Sequence, residues 1–394
     1  MKKEDRLEIP GIHESIAVEL DSLGRSAGVE LEPEEDHIRE PFDPDKIEVL
    51  TRTPTVSLVL ARIRRRTIDL SPDFQRRAGI WDKKNQSRLI ESLLLRIPLP
   101  TFYAAENEDE KWSIVDGIQR LTTIARFIQP ESIHAQPLVL SDLEYLKEYN
   151  GKTFDDLPGR LKTRLEETEI VLHLIRQGTP EEVKFNIFAR INTGGLPLST
   201  QELRHALIPG PARELLGKLA TSKEFLAATM GSVSSERMAD REMALRFLAF
   251  RLNPPEKYGS RDFDEFLRRS MRIVNRLSKS DVARLSREYS TAMSTAKTLF
   301  GKHAFRKQYE NQNGRYPINK ALFETIAVNL ATRSHLELNN LIENKGALIN
   351  DLLGLFTDPD FDRSISVGTG DIAKVRGRFS DIDRLFQRHD GSSD

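Results

Sequence analysis

The chain has 394 residues, no cysteine, and hydrophobic and charged shares of 38% and 30%. At roughly 100–200 residues per domain this predicts two or three domains with ordinary cores. The lack of cysteine excludes disulfide staples, thiolate catalysis, and Cys-ligated zinc or iron–sulfur centres. The formal net charge of −1 conceals an asymmetry: residues 1–45 carry 5 Lys and Arg against 14 Asp and Glu, leaving 54 against 46 for the remainder. An acidic arm thus precedes a mildly basic body, which permits a phosphate-bearing partner without demanding one. No apolar run approaches the ~20 residues of a membrane helix. The opening MKKEDRLEIP lacks the apolar stretch of a secretory leader, so a cytoplasmic protein with no membrane partner is expected.

Along residues 1–45, Pro10, Gly11, Gly24, Gly28, Pro33, Pro41 and Pro44 interrupt any period, and Ile16, Val18 and Leu20 form one short candidate element. The arm reads either as disordered or as lying over the basic body. Val56 to Arg66 predicts a helix, followed by an extended stretch at Ile68 and Leu70 and by the loop PDFQRRAGIW. Asp82 stands where it caps a helix whose buried face is Leu89, Ile90, Leu93, Leu94 and Ile97, ended by Pro98 and Pro100. TFYAA and KWSIV read as strands around the turn ENEDE, the second running into DGIQRLTTIARFI as a strand–turn–helix. ETEIVLHLI reads as a buried strand. Thr179, Pro180 and Glu182 open a helix carrying Val183, Phe185, Ile187 and Phe188, which enters the turn NTGG; Ser199 and Glu202 offer a second capping box. The PGP at 209–211 marks a boundary beyond which the periodic stretches are helical, among them REMALRFLAFRL, DFDEFLRRSMRIVNRL and SDVARLSREYSTAMSTAKTLF. The expected organisation is an acidic arm at 1–45, an α/β or α+β domain at 46–208 and a helical domain at 209–394.

Three segments carry candidate chemistry. In SIVDGIQRLTTIARFI, Asp116 ends a strand, Gly117 lets a ligand approach the backbone, and Arg120 lies in the first turn of the next helix. Helix amides and a guanidinium suit a phosphate, Asp116 suits a ribose hydroxyl or Mg2+, and Gln119 suits a water or a base edge. Spacing alone supports equally an Asp116 that only caps a helix and an Arg120 at the surface. In PDFQRRAGIW, Gln75 and Arg76 sit on a loop between Phe74 and Trp81, aromatics that also fit plain core anchors. In FARINTGG, Arg190 ends a helix and Asn192 begins a polar turn that a simple helix cap would explain as well. The eight histidines fall at no metal-ligand spacing, and HExxH, GxSxG and Walker patterns are absent, so no metal centre is expected; His173, on an apolar strand, reads as a core residue. Residues 261–310 hold 12 Lys and Arg against 6 Asp and Glu. Within them Arg268, Arg269, Arg272 and Arg276 recur near helical spacing, fit either for a nucleic-acid backbone or for a solvated face.

Three motifs, FQRRAGIW, VDGIQRLTT and FARINTGGLPLSTQELRHAL, stand in an order and spacing that resembles the N-terminal domain family of GmrSD-type restriction endonucleases. Lesser echoes extend the resemblance over roughly residues 46–385. It implies an α+β fold, a ParB/sulfiredoxin-like N-terminal domain followed by an all-helical C-terminal domain, and a nucleotide-binding or nucleotide-hydrolysing module of prokaryotic defence against foreign or modified DNA. Carried over, Gln75, Arg76, Asp116, Gly117, Gln119, Arg120 and Asn192 take the nucleotide-binding positions, with Asp116, Gln119 and Arg120 also in catalytic ones. The implied cofactors are an NTP and Mg2+. Two departures stand out. The DGQQR signature of the family has glutamine where this chain has Ile118. An isoleucine neither positions water nor moves a proton, so phosphate binding is retained while hydrolysis would rest on Gln119. The HNH nuclease half is also missing from the motifs, so DNA cutting would need a separate nuclease or another defence subunit. The expected function is an NTP-binding regulatory subunit of an anti-phage or restriction-type defence system, with NTP hydrolysis left open by Ile118. The alternative is a non-catalytic scaffold that binds duplex DNA and recruits a nuclease.

Overall fold

The structure, a computed structural model, describes residues 6–7, 16–20, 25–32, 47–70, 81–107, 109–191, 198–260, 262–309 and 314–392. By its contacts the chain divides into two units, one made of 39–207 and the other of 1–38 together with 208–394. The first three strands, β1 (Arg6–Leu7), β2 (Ile16–Leu20) and β3 (Ser26–Glu30), pair antiparallel in that order.

In the unit 39–207, β4 (Val49–Arg52), β5 (Ile68–Asp69), β6 (Phe102–Glu106), β7 (Trp112–Asp116) and β8 (Leu172–Ile175) form one mixed sheet in the order β4-β8-β6-β7-β5. The hairpin β6–β7 is antiparallel, whereas β8 joins β6 and β5 joins β7 in parallel. By register Leu50, Leu174, Ala104 and Ile114 share one face of this sheet. Helices supply the other layer. In α1 (Val56–Arg64), Val56, Val59, Leu60 and Ile63 recur at helical spacing and are buried, each burial contributing about 1.5–3 kcal/mol. In α2 (Lys83–Leu94) the expected Leu89, Ile90, Leu93 and Leu94 face inward, and Asp82 caps the helix by accepting the Asn85 N–H at 2.7 Å. Next come α3 (Ile118–Ile128), α4 (Gly159–Glu167), α5 (Glu181–Ile191) and α6 (Thr200–Leu207). The capping box before α6 forms as the sequence predicts: the Ser199 N–H donates to Glu202 at 2.6 Å and the Glu202 N–H to Ser199 at 3.2 Å. Thr179 has a different partner, its hydroxyl accepting the Glu48 N–H at 3.1 Å and so tying the entrance of β4 to the end of β8.

In the other unit, residues 208–394 contribute α7 (Pro211–Ala220), α8 (Lys223–Thr229), α9 (Ala239–Leu252), α10 (Phe263–Asn275), α11 (Lys279–Phe300), α12 (Lys320–Ala331), α13 (His335–Glu343), α14 (Lys345–Phe356), α15 (Pro359–Ser366) and α16 (Ile372–Gln387). The chain is therefore mixed α+β, with an α/β region followed by a helical one. Helices α9 and α12 are buried on nearly every face, yet they carry Glu242, Arg246, Lys320 and Glu324. Buried charges must be paired, and here much of the pairing comes from the N-terminal segment. The Arg246 guanidinium binds Glu32, Glu242 (2.9 Å) and Glu324 (3.2 Å), while Lys320 meets Glu19 at 2.5 Å and Glu242 at 3.2 Å. Arg378 completes the cluster on Glu324. Backbone joins as well. The Glu30 N–H donates to the Ile318 carbonyl at 2.8 Å, and the Ile318 N–H to the Gly28 carbonyl at 3.0 Å. Gly28 has φ +77°, and a side chain there would run into the Ser232 carbonyl. The sequence sets 1–45 apart as an acidic arm; its described part is a set of strands built into the helical unit, with Val18, Ala27 and Val29 fully buried.

Candidate functional site

The strand–turn–helix at 112–128 forms as expected, and its geometry redistributes the roles of its residues. β7 is buried along Trp112 to Val115 and emerges at Asp116, which lies opposite Tyr103 across a register shift. Gly117 then takes φ +92°, a left-handed turn against which the Phe102 ring packs so closely that no β-carbon would fit. α3 begins at once with Gly117 as its N-cap, a residue with no side chain to cap the first amides, so the positive end of the helix adjoins the Asp116 carboxylate. Ile118 is 5% exposed and belongs to the core. Gln119, one position on, is half-buried.

Arg120 is expected to offer its guanidinium to a phosphate. The structure engages it internally. It is 9% exposed, donates to the carbonyls of Pro100 and Thr101 (the latter at 3.2 Å), and pairs with Asp116 Oδ2 at 2.8 Å. Its guanidinium carbon lies 4.3 Å from the centroid of the Phe102 ring. Burial draws its pKa down while Asp116 works the other way. The physical reason is the i, i+4 spacing across the turn, which brings cation and carboxylate together, while the Pro98–Thr101 entry to β6 turns two carbonyls onto the same fork. Arg120 thus orients Asp116 and anchors β6.

Sequence reasoning missed the residues beside Asp116. By register Thr51, His173, Tyr103 and Asp116 form one row across β4, β8, β6 and β7. The Thr51 hydroxyl and His173 Nδ1 are 2.9 Å apart, and the Tyr103 and His173 rings meet at 5.2 Å between centroids. His173 is half-buried rather than part of the inner core. The row can offer a carboxylate, a ring face and the amides of α3 to one ligand. The signal available in the sequence was one polar or aromatic residue on each of three short strands: Thr51, Tyr103 and His173.

Gln75, Arg76 and Asn192 lie outside the described residues. Of the α10 arginines, Arg268 is 5% exposed and ion-paired with Asp264 at 3.3 Å and Asp262 at 3.4 Å. Arg272 is half-buried, and Arg269 and Arg276 are exposed. The row spans both sides of an amphipathic helix because Arg268 falls on the buried face with Phe266, Leu267, Ser270 and Met271.

Compared with known families, residues 58–209 match the model of the GmrSD restriction endonuclease, N-terminal domain. No curated protein matches the chain. The matched span takes in the sheet from β5 onward, the Asp116–Gly117 turn and helices α2 to α6, which is the part of the molecule that carries the DGIQR motif. The region 58–209 is therefore assigned to the GmrSD restriction endonuclease N-terminal domain family.

Proposed function

We propose that the domain binds a nucleoside triphosphate at the Asp116–Gly117 edge and serves as a regulatory subunit of its defence system. The observation that supports this most is the convergence of three features at one sheet end: the Asp116 carboxylate, the start of α3 at Gly117, and the Tyr103–His173 ring pair. Helix amides favour phosphate oxygens and an aromatic face favours a base. Mg2+ would come with the triphosphate, since it needs only one or two carboxylates besides phosphate oxygens; Asp116 Oδ1 is the oxygen not engaged by Arg120. On this reading Gln119 is the polar side chain nearest the phosphates in sequence, and Ile118 contributes packing alone. DNA and a separate nuclease are the partners proposed from the family, with Arg269 and Arg276 as the exposed cations of α10.

Calorimetric titration of the full chain with each of the four NTPs and Mg2+ tests the proposal. At least one should bind. Asp116→Asn and Tyr103→Ala should each weaken that binding by about tenfold or more, as expected for a lost charge-assisted contact or base stack. Absence of binding by all four would falsify the reading.

A further inference from the structure

A concavity takes in the start of β7 at Trp112, about 13 Å along the strand from Asp116. Its volume is about 560 Å3, and its lining includes Arg52 and Arg62, Leu58, Glu106, Trp112 and Arg176. Three cations so distant in sequence meet because α1 crosses the sheet beside β4 while Arg176 follows β8. The Arg62 guanidinium sits over the Trp112 ring at 3.8 Å from its centroid and donates to the Glu110 carbonyl at 3.2 Å. Its Nε is buried and, among the described residues, donates to no acceptor. Burial, and then the like charge of Arg52, draw the Arg62 pKa down. Glu106 and Glu110 in the lining work the other way. Glu106 is engaged by Arg176 at 2.9 Å, and Glu110 is exposed. Arg52, Arg62 and Arg176 thus outnumber Glu106 and Glu110 around this concavity, and the Arg62 Nε–H has no acceptor among the described residues.

We propose that this cavity is a phosphate-binding site for a small phosphorylated molecule, with Arg62 and Arg52 as its principal ligands and Arg176 at its rim. Guanidinium groups favour tetrahedral oxyanions through paired N–H donors. The volume falls within the ~300–1,000 Å3 range of small-molecule sites. Leu58, 52% exposed, gives the non-phosphate part of the ligand an apolar wall. The site shares Thr51 with the row at Asp116 but uses none of the ligand residues of the nucleotide reading.

The full chain at low salt is titrated calorimetrically with inorganic phosphate and with ribose 5-phosphate, neither of which carries a base to recruit the Tyr103 edge. Saturable binding is expected, weakened about tenfold or more by Arg62→Gln and by Arg52→Gln and unchanged by Asp116→Asn. Arg52 is exposed, so its replacement leaves folding intact even should Arg62→Gln disturb the contact with Trp112. Tighter binding of ribose 5-phosphate supports a phosphorylated metabolite, and equal binding supports free phosphate as the source. The proposal is overturned if neither ligand binds, if Arg52→Gln binds as the parent does, or if Asp116→Asn abolishes the effect. NTP binding that fails at Asp116 while phosphate binding persists here would remove the first reading and leave this one.

Discussion

At the scale of single residues, Arg120 shows how a motif arginine can bind the protein itself. Its guanidinium holds two main-chain carbonyls and Asp116 in a nearly closed environment. Truncation would leave those acceptors buried and short of a donor, at a cost of about 1–3 kcal/mol for each such group. Arg120→Ala should therefore lower the stability of the domain by about 3 kcal/mol, visible as a lower denaturant midpoint with little change in slope. Arg120→Lys keeps the charge but loses the fork, and should recover only part of the loss. A midpoint equal to that of the parent for Arg120→Ala would mean that the clasp contributes nothing. Asp116 behaves differently: it is 40% exposed at its side chain, so Asp116→Asn should weaken ligand binding far more than it weakens folding.

At the scale of elements, a carboxylate in α2 organises the loop that follows α3. The Glu91 side chain accepts the N–H groups of Glu144, Tyr145 and Leu146 at 3.0, 2.7 and 2.8 Å. Burial disfavours its charge, yet those three donors prevail and hold its pKa below the ordinary 4.5. Because the folded pKa is depressed, the stability that Glu91 contributes is fully present above the unfolded value. It is lost as pH falls through 4.5 toward the folded pKa. At neutral pH Glu91→Gln should cost about 1–2 kcal/mol, and the gap from the parent should close as the solution is acidified below that window. Thermal melts of both proteins from neutral to acid pH check this; a gap that widens on acidification would contradict the sign. The two caps at Asp82 and Ser199 act at the same scale, each fixing where a helix starts within one turn of chain.

At the scale of the whole chain, the N-terminal strands are structural members of the helical unit. They supply Glu19 and Glu32 to Lys320 and Arg246, and burial in this cluster raises the affinity of Glu19 for its proton while Arg246 and Lys320 hold Glu32 low. Removing one partner of a buried ion pair costs about 3–5 kcal/mol, because the other is left uncompensated. Glu32→Ala should accordingly destabilise the unit by about 3 kcal/mol. Deletion of residues 1–32 should broaden its unfolding, since Val18, Ala27 and Val29 also leave the core. Differential scanning calorimetry of both variants reads these outcomes, and an unaltered transition in the deletion would show that the strands add nothing to the fold.

How much of this was legible in the sequence depends on the range of the interactions. Helices at 56–64, 83–94, 118–128, 239–252, 263–275 and 279–300 and the strands of the β6–β7 hairpin follow from periodicities and caps that span a few residues. The DGIQR element and its family were legible for the same reason, being a local string on a strand and a helix. The partners of charged side chains were not. Asp116 and Arg120 are neighbours on one turn, but the carbonyls of Pro100 and Thr101 that complete the clasp arrive from another strand. Glu32 and Arg246 are separated by 214 positions, and Arg52, Arg62 and Arg176 meet only once α1 has crossed the sheet. Hydrophobic spacing determines which elements form, because it is a property of neighbouring residues. Whether an arginine binds a ligand or the protein itself was decided by the tertiary structure, because a charge takes the acceptors that folding brings to it.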